Sequence, residues 1–599
     1  MILETFEPAG PHDRRLAVGS TGTLGHLNTA GVLSAADIHV ARTLARVAGE
    51  QDSSVVLAAA MATRAVRSGS VAVDLTGLHA TLPEVAWPEP QGWLDAVAGS
   101  RLVAEGALVM DQGMLYLQRY HHQEVQIVGD LRARAALEAP SVDEPVLTAG
   151  LARIFPGDGY AEQRAAAESI ARARSSVLTG GPGTGKTTTV AGVLALLAEL
   201  AAAGGERPIR VGLAAPTGKA AARMRSAVTR ALAEILDRTT DAATRSVIEP
   251  LREVEPMTLH RLLGWRPDSR TRFRHHRTNR LPHDVVLIDE ASMLSLTHMA
   301  RLLEALRPSA RLILVGDADQ LVSVDAGAVL ADLVAGAESS ALPPLALARL
   351  RTVHRFGATI GSLAEALRTG DADGVVAALS AGSDEVDWVR DEDPVAALRG
   401  VVTRHARTVL DAARARDADG ALAALSAHRL LCGHREGPFG VRTWNRYAEM
   451  WLGEETGLTF YEPMYVGRPV LVTANDYATG VLNGDTGVVV ASTTPDGTPV
   501  RVAVIEGAGG AQRFAPSRLG DIETMHAMTI HKAQGSQALE VTVLLPDADS
   551  PLLTRELFYT AVTRAEERVR VVGSEAVVRA AVERRVIRAS GLRRRLAHG

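Results

Sequence analysis

A glycine-rich loop in the first third of the chain has the composition and spacing of a phosphate-binding site. Residues 180–187 read GGPGTGKT and match the pattern G-x-x-x-x-G-K-[ST]. They follow the strand-like stretch 175–179 and precede the apolar helical stretch 188–200, which is the context that this pattern requires. Glycines let consecutive backbone N–H groups curl around phosphate oxygens, and the helix N-terminus adds partial positive charge. The sequence therefore predicts a nucleoside triphosphate site.

The residue types of this loop suggest separate roles. Lys186 is expected to reach the β- and γ-phosphates, and Thr187 to hold Mg²⁺. Gln163 lies seventeen residues before Gly180, and its amide both donates to and accepts from an adenine edge, although a surface glutamine is the plainer interpretation. The predicted nucleotide-binding residues are Gln163, Gly180, Gly181, Pro182, Gly183, Thr184, Gly185, Lys186, Thr187 and Thr188.

Two acids end an apolar stretch about a hundred residues further along. Residues 285–290 read VVLIDE. Asp289 is predicted to hold Mg²⁺ through water, and Glu290 to orient or deprotonate the attacking water. Paired acids at a strand end are also common as plain caps. Together with the phosphate loop, however, they predict an ATPase.

Composition bounds the class of protein. The 599 residues are about four times the length of a common domain of roughly 150 residues, and 46% are apolar, so several packed domains are expected. The net charge is 64 − 69 = −5, so any site for a polyanion must be local. The single cysteine, Cys432, excludes an internal disulfide and a thiolate metal site from this chain alone.

Localisation is expected to be cytoplasmic, without a membrane span. One cysteine fits a reducing compartment. Residues 1–10 lack the apolar core of a secretory signal, and 16–36 are uncharged but too polar to cross a bilayer.

Only three of the 64 basic residues are lysines, namely Lys186, Lys219 and Lys532. Where a chain uses arginine as its default cation, a retained lysine suggests a task for a compact ammonium, with chance as the alternative. All three lie inside motifs.

Alternating strand-like and helix-like stretches favour an α/β fold. Further apolar runs at 210–214, 285–288 and 312–315 are separated by helical patterns, which predicts a parallel sheet covered by helices. Closely spaced turn signals between 465 and 518 predict a small antiparallel barrel. Residues 1–150 are mainly helical in pattern.

Five further motifs complete a resemblance to the superfamily 1 DNA helicases, and within them to the RecD family, the alpha subunits of exodeoxyribonuclease V. They read APTGKAAAR (215–223), TLHRLLG (258–264), VGDADQL (315–321), AMTIHKAQGS (527–536) and YTAVTRA (559–565). Their order and spacing are similar to those of the family from about residue 150 to the end.

This resemblance implies an ATP-dependent 5′-to-3′ helicase with two RecA-like P-loop motor domains, ATP between them and single-stranded DNA across their tops. Gln320 would sense the γ-phosphate, while Arg355 and Arg564 would approach it from the second motor, which ties hydrolysis to closure. The expected catalytic residues are Lys186, Glu290, Gln320, Arg355 and Arg564. The expected DNA-binding residues are Lys219, His260, Thr529, His531 and Lys532.

The resemblance also implies a domain plan. Residues 1–150 would form an N-terminal docking domain and 151–342 the first motor, with a hairpin at about 266–283 that can separate strands or be a plain basic loop. The second motor would comprise 343–464 and 519–599, interrupted by an SH3-like barrel at 465–518. The Arg-rich stretch 584–595 is expected to be a solvated helix or tail.

Two positions depart from the family pattern. His354 precedes Arg355 where an aromatic residue is often found, and Gln537 follows Ser536 where the family often has Glu. The missing carboxylate puts a contact of Gln537 with the nucleotide sugar in doubt, but does not affect the phosphate chemistry.

The favoured function is that of a motor subunit in a RecBCD-type helicase–nuclease acting in double-strand break processing and recombinational repair. Its cofactors would be ATP and Mg²⁺, and its partners RecB-like and RecC-like subunits, single-stranded DNA and double-stranded DNA ends. The alternatives are a stand-alone RecD-like helicase and a nucleotide-gated structural subunit. Nuclease sites of the partner type need a lysine two residues after an acid, and the positions two before the three lysines are Thr184, Thr217 and Ile530. DNA cutting is therefore expected from another chain.

Overall fold

The computed structural model describes the chain except residues 1–4, 7, 9, 84, 267–268, 322–324, 341–343, 354–356, 391–392, 477, 508–509, 587 and 598–599, and it leaves the side chains of 270 and 271 undescribed. Arg355 and His354 lie outside the described residues.

The N-terminal part is mainly helical, with a small antiparallel sheet of order β1-β3-β2. Its elements are α1 (Gly22–Thr29), α2 (Ala35–Ala48), α3 (Ser53–Arg67), β1 (Ala72–Val73), α4 (Leu78–Thr81), α5 (Pro90–Ala98), α6 (Arg101–Ala104), β2 (Leu108–Asp111), β3 (Met114–Leu117), α7 (Gln118–Ala135) and α8 (Glu144–Ile154). Local sequence fixes the helix ends: Ser34 and Asp37 form a reciprocal capping box at the start of α2. The helix α8 continues past residue 150, so the predicted boundary falls inside it.

The α/β unit from α9 to β11, called the first motor after its predicted role, contains a six-stranded sheet of order β11-β4-β10-β9-β5-β6, in which every pairing is parallel. Its elements are α9 (Ala161–Ala171), β4 (Ser175–Gly180), α10 (Lys186–Ala203), β5 (Val211–Ala215), α11 (Gly218–Arg238), α12 (Ala242–Ile248), β6 (Met257–Thr258), α13 (Leu259–Leu263), β7 (Trp265–Arg266), β8 (Ser269–Phe273), β9 (Val285–Ile288), α14 (Leu296–Ala305), β10 (Arg311–Gly316), α15 (Val329–Ser339) and β11 (Ala346–Leu350). Helices cover both faces of the sheet, so β9 is buried along its whole length.

The strand β11 pairs with β4, so the boundary predicted at 342 falls before the last strand of the first sheet. The strands β7 and β8 pair as a two-stranded antiparallel hairpin within the stretch predicted as a pin.

The second motor is a five-stranded sheet of order β12-β21-β20-β13-β19, again with parallel pairings. The elements from here to the end are α16 (Ala358–Thr369), α17 (Ala372–Ser380), β12 (Val386–Val389), α18 (Pro394–Arg414), α19 (Ala418–Ala427), β13 (His428–Cys432), α20 (Val441–Thr456), β14 (Pro469–Val472), β15 (Thr486–Thr493), β16 (Pro499–Gly507), β17 (Gly510–Phe514), β18 (Ile522–Thr524), β19 (Ala527–Thr529), β20 (Ala538–Leu544), α21 (Arg555–Val562), β21 (Ala565–Val572), α22 (Glu575–Glu583) and α23 (Leu592–Ala597).

The insertion in the second motor is a five-stranded antiparallel sheet of order β17-β16-β15-β14-β18. Successive side chains of β15 point to opposite faces of this sheet. Val489 packs in the insert's own core, whereas Val488 and Val490 pack against the second motor. The last strand, β18, lies beyond the predicted limit of 518.

One helix among the described residues, α10, is long and apolar enough to cross a membrane, but 67% of it is buried inside the structure. It is the helix that follows the phosphate loop and packs in the core of the first motor.

The C-terminal strap, residues 588–597, crosses back from the second motor to the N-terminal part and the first motor. The Ala589 carbonyl accepts a hydrogen bond from the Val71 N–H at 2.9 Å, and the Gly591 N–H donates to the fully buried Glu124 carboxylate at 3.0 Å. Leu592 and Leu596 are buried against the first motor. The prediction of a solvated helix or tail over 584–595 is thus wrong in part. A helix forms with Arg593 and Arg594 exposed, but two leucines at i, i+4 bury an apolar stripe beneath them.

We predict that Leu592→Ala lowers the free energy of unfolding of the first motor by about 2–5 kcal/mol, because it removes a fully buried side chain. Hydrogen exchange in α15, which packs against the strap, measures this change. The matched variant Leu539→Ala, at a position 42% exposed, should have little effect. Equal effects of the two substitutions would contradict the buried docking of the strap.

Candidate nucleotide site

The phosphate loop joins β4 to α10 and closes on its own lysine. Gly183 and Gly185 have φ angles of 79° and 84°, in the left-handed region that glycine adopts without a side-chain clash. The Lys186 ammonium donates hydrogen bonds to the carbonyls of Gly180 at 2.6 Å and Gly181 at 2.9 Å. The loop therefore holds this cation at its centre, where phosphate oxygens would compete with the two carbonyls.

Acids stand at the carboxyl ends of the two neighbouring parallel strands. Asp289 follows β9 and Asp317 follows β10, so both lie at the same edge of the sheet as the loop after β4. Burial raises the pKa of Asp317 to about 6, and the Lys186 charge opposes this rise. Burial also raises the pKa of Asp289, with a further contribution from Glu290.

The Lys186 ammonium and these carboxylates share one enclosed environment. Burial lowers the pKa of Lys186, and the negative charges of Asp317, Glu290 and Asp289 act against that shift. Each buried charge therefore depends on the others for compensation.

Glu290 adopts a strained backbone conformation. Its φ of 50° is left-handed, which is uncommon for a residue other than glycine. Its N–H donates to the Asp289 carboxylate at 2.9 Å. Such a conformation costs of the order of 1–3 kcal/mol and is found most often at functional sites.

A cleft of about 500 Å³ separates the two motors at this edge. Lys186, Thr187, Asp289 and Glu290 line it from the first motor and Arg564 from the second. The Arg564 guanidinium is buried, and its Nε donates to the Thr560 carbonyl at 3.1 Å. Its positive charge contributes to lowering the pKa of Lys186.

Most of the other predicted nucleotide residues are close by. Pro182, Gly183, Gly185, Thr188 and Gln320 line the same cleft. Gly180, Gly181 and Thr184 line an adjoining cavity of about 230 Å³. Gln163 is buried at the base of the loop. The Nε2 atom of Gln163 is so close to Gly185 that a Cβ on that residue would lie 3.4 Å from it.

Three hydrogen bonds join the motors beside the cleft. The Tyr559 hydroxyl donates to the Asp317 carboxylate at 3.0 Å, and the Leu321 N–H donates to the Thr560 hydroxyl at 2.8 Å. The Gln534 amide donates to the Leu321 carbonyl at 2.7 Å. The segment that follows β10 is thus bonded to the second motor through α21 and the loop after β19.

The sequence interpretation missed the role of Tyr559 and Asp317. Both stand in motifs that were identified, and Asp317 ends a strand just as Asp289 does. The matching positions of Asp317 and Asp289, each directly after a strand, could have indicated that Asp317 belongs to the site. Their contact joins residues 242 positions apart, so no local pattern reveals it.

The five predicted DNA-binding residues lie on different elements of the two motors. Lys219 lies near Asp485 and Glu506 of the insert, and burial lowers its pKa to about 8. The His260 ring packs edge-on against His298 with centroids 4.8 Å apart. The other three predicted residues, Thr529, His531 and Lys532, belong to the second motor and have separate surroundings.

Thr529 is buried in β19, where its hydroxyl accepts from the Lys532 N–H at 3.2 Å. The Lys532 ammonium donates to the Glu523 carboxylate at 3.1 Å. His531 lines a cavity of about 480 Å³ between the motors and the N-terminal part, with α3 on one side.

No group of three His, Cys, Asp or Glu side chains is placed to hold a metal ion among the residues that the structure describes. Mg²⁺ is usually held by one or two protein oxygens together with phosphates and water. Thr187 and Asp289 both line the cleft.

Three family models match the chain. They are an AAA domain over residues 163–326, a UvrD-like helicase C-terminal domain over 524–572, and the RecBCD enzyme subunit RecD N-terminal domain over 29–116.

Curated relatives match over nearly the whole length. The RecBCD enzyme subunit RecD of Mycolicibacterium smegmatis is 55% identical over 570 residues, covering 95% of this chain and 98% of that protein. The chain belongs to the RecD family. The RecD subunit of Mycobacterium tuberculosis H37Rv is 54% identical over 98% of both chains. The ATP-dependent RecD2 DNA helicase of Deinococcus radiodurans is 31% identical over 81% of this chain and 59% of that protein.

Membership of the RecD family confirms the resemblance drawn from the motifs. The phosphate loop and the two acids after β9 fall within the AAA match, and the Arg564 motif falls within the helicase C-terminal match. The α/β helicase fold with parallel sheets and a helical N-terminal domain is likewise confirmed.

We predict that Tyr559→Phe moves the acid limb of the pH profile of ATP hydrolysis to higher pH. The hydroxyl lowers the pKa of Asp317, so its removal raises that pKa above about 6. Asp317 is then protonated, and its attraction for Lys186 lost, at a higher pH than in the wild type. A net contribution of about 1.5 kcal/mol from a hydrogen bond to a charged group corresponds to about one pH unit.

The quantity to measure is kcat/KM for ATP against pH, because it reports groups of the free enzyme. Tyr461→Phe, at a residue 92% exposed, is the matched control. Superimposable profiles for wild type and Tyr559→Phe would show that the hydroxyl does not act on the site.

Proposed function

We propose that this chain is the ATP-driven motor subunit of a RecBCD-type helicase–nuclease that translocates 5′ to 3′ on single-stranded DNA. The chain is an ATP-dependent DNA helicase by family, and one observation carries the mechanism. The cleft with Lys186 on one motor has Arg564 on the other, so nucleotide bound there contacts both bodies. Occupancy of the cleft is thereby coupled to the relative position of the motors.

The residues of the cleft divide the work of hydrolysis. Lys186 binds the β- and γ-phosphates, and Glu290 orients or deprotonates the attacking water. Gln320 and Arg564 approach the transferring phosphoryl group, on which negative charge spreads in the transition state. Arg355 is proposed to act with Arg564 from the second motor.

Mg²⁺ would be held by Thr187 directly and by Asp289 through water, and it would neutralise charge on the phosphates. The nucleotide base would be met by Gln163. The loop residues 180–188 would supply the remaining phosphate contacts through their backbone N–H groups.

Motion follows from the contacts beside the cleft. Asp317 and Leu321 follow a strand of the first motor and are bonded to Tyr559, Thr560 and Gln534 of the second. ATP binding draws the motors together around its phosphates, and product release separates them. Alternate grip on single-stranded DNA would turn this cycle into movement. Parting a base-pair step costs about 1.4 kcal/mol on average, well within one cycle.

The DNA-binding residues are proposed to be Lys219, His260, Thr529, His531 and Lys532. They are spread along both motors, which suits a strand that crosses the tops of both rather than a single pocket. The hairpin of β7 and β8 is proposed as the pin, and the five-stranded insert as the family's SH3-like barrel.

We infer four domains: an N-terminal docking domain, a first motor that runs through β11, a second motor, and the insert that interrupts it. RecB-like and RecC-like subunits are the proposed partners in the cytoplasm, with Mg²⁺ and double-stranded DNA ends as further ligands. The near-complete coverage of the subunit relatives favours this assignment over the stand-alone helicase, which is a longer protein. The intact loop and acids argue against a purely structural subunit.

We predict that Lys186→Gln reduces DNA-stimulated ATP hydrolysis by at least a hundredfold, because the amide cannot supply the charge that phosphates require. Phosphate release by the purified subunit and by the complex reconstituted with its RecB-like and RecC-like partners measures this. Assembly with those partners, followed by gel filtration, should be unchanged.

Two outcomes would contradict the proposal. Substantial turnover by Lys186→Gln would place the ATP site elsewhere. Wild-type hydrolysis that does not respond to single-stranded DNA, with or without partners, would remove the motor function.

A further inference from the structure

Among the further cations that line the cleft is Arg223, to which none of the motif roles applies. Arg223 is half-buried on α11 of the first motor and lines the cleft with Lys186 and Arg564. The helix that carries it is anchored at its start by the Thr217 hydroxyl, which accepts from the Ala220 N–H at 3.2 Å. The cleft-lining residues of α11 recur at helical spacing: Ala220, Arg223, Met224, Ala227, Arg230, Ala231 and Glu234. Arg223 therefore faces the nucleotide cleft because of its position on a regular helix.

The partner of Arg223 belongs to the other motor. Its Nη2 donates a hydrogen bond to the Gln537 side-chain oxygen. Both neighbours of Gln537 are bonded to Arg564: the Ser536 carbonyl accepts from its Nη1 at 3.4 Å, and the Ala538 N–H donates to its carbonyl at 3.1 Å. Gln537 and Arg564 are therefore held as one unit, opposite Arg223 and Lys186.

The residue type at 537 matters for the charge of the cleft. A carboxylate there would form an ion pair with the guanidinium and neutralise it, whereas an amide oxygen accepts a hydrogen bond and leaves the positive charge. Gln537 takes one of the five N–H donors of Arg223. The remaining charge reaches the site: burial lowers the pKa of Arg564, and the positive charge of Arg223 lowers it further.

We propose that Arg223 binds a phosphate oxygen of ATP as a further cation of the site, and that Gln537 positions its guanidinium. This inference rests on the proposed ATP site and assigns it a residue from the first motor that the phosphate loop does not contain. Arg223 contacts substrate, whereas Gln537 acts through Arg223. The alternative is that the pair only joins the two motors.

Affinity for a fluorescent ATP analogue, measured with the full chain and Mg²⁺, tests the proposal. We expect Arg223→Gln to weaken binding and to raise KM for ATP at least tenfold. Arg223→Lys should retain binding within about threefold, because the ammonium still supplies charge.

Gln537→Glu separates the two roles. The new carboxylate strengthens the contact between the motors but neutralises the charge of Arg223, so we expect weaker ATP binding. If Arg223 and Gln537 only joined the two motors, the substitution would leave ATP binding unchanged or tighten it. In the Arg223→Gln background the same substitution should have little further effect, since its target is gone. If Gln537→Glu weakens ATP binding as much in the Arg223→Gln background as in the wild type, the new carboxylate repels phosphate directly. That result would overturn the positioning role of Gln537.

Arg225→Gln is the matched control for the arginine. Arg225 lies on the same helix, is exposed and pairs with Glu255 at 3.2 Å, so its substitution should leave binding unchanged. If wild type binds the analogue and Arg223→Gln binds it equally well, this inference fails while the ATP site stands. If wild type and Lys186→Gln bind equally weakly, the ATP site itself fails.

Discussion

Buried charges must be matched by opposite charges, and the cleft of this protein is organised around that requirement. The Lys186 ammonium sits among loop carbonyls and faces the carboxylates of Asp289, Glu290 and Asp317, while a guanidinium approaches from the other motor. Burial lowers the pKa of the lysine and raises that of Asp317, so the charges of the site compensate one another only in part. In the proposed mechanism a triphosphate with its Mg²⁺ would add to this compensation, and the binding energy would draw the second motor onto the first.

The same constraint explains why the contacts between the motors cluster beside the cleft. Tyr559 reaches Asp317, which is itself part of the charge set around Lys186. The Leu321 backbone is bonded on both its polar groups to the second motor. A change in nucleotide occupancy therefore acts on residues already joined to the opposite motor. The C-terminal strap returns from the second motor to the N-terminal part, where the Gly591 N–H donates to the buried Glu124 carboxylate of α7.

Much of the site was predictable because the residues proposed to carry its chemistry lie in short local sequence motifs. The loop at 180–187 and the acids at 289–290 each depend on residues adjacent in sequence, and apolar runs such as 285–288 indicate strands covered on both faces. What the sequence did not reveal depends on long-range pairing. Tyr559 with Asp317 and Arg223 with Gln537 join residues 242 and 314 positions apart. The docking of the strap was missed because its arginines outnumber the two leucines that are buried. The pairing of β11 with β4 was missed because a short strand carries no sign of which sheet it joins.

The central claim is that hydrolysis needs a cation from each motor in one cleft. ATP turnover by Arg564→Ala, measured in single-turnover conditions at saturating single-stranded DNA, tests it most directly. An arginine that stabilises a transferring phosphoryl group contributes about 10³–10⁵ in rate, so turnover should fall at least a thousandfold while ADP binding changes little. Turnover within a few-fold of the wild type would show that the second motor does not complete the site.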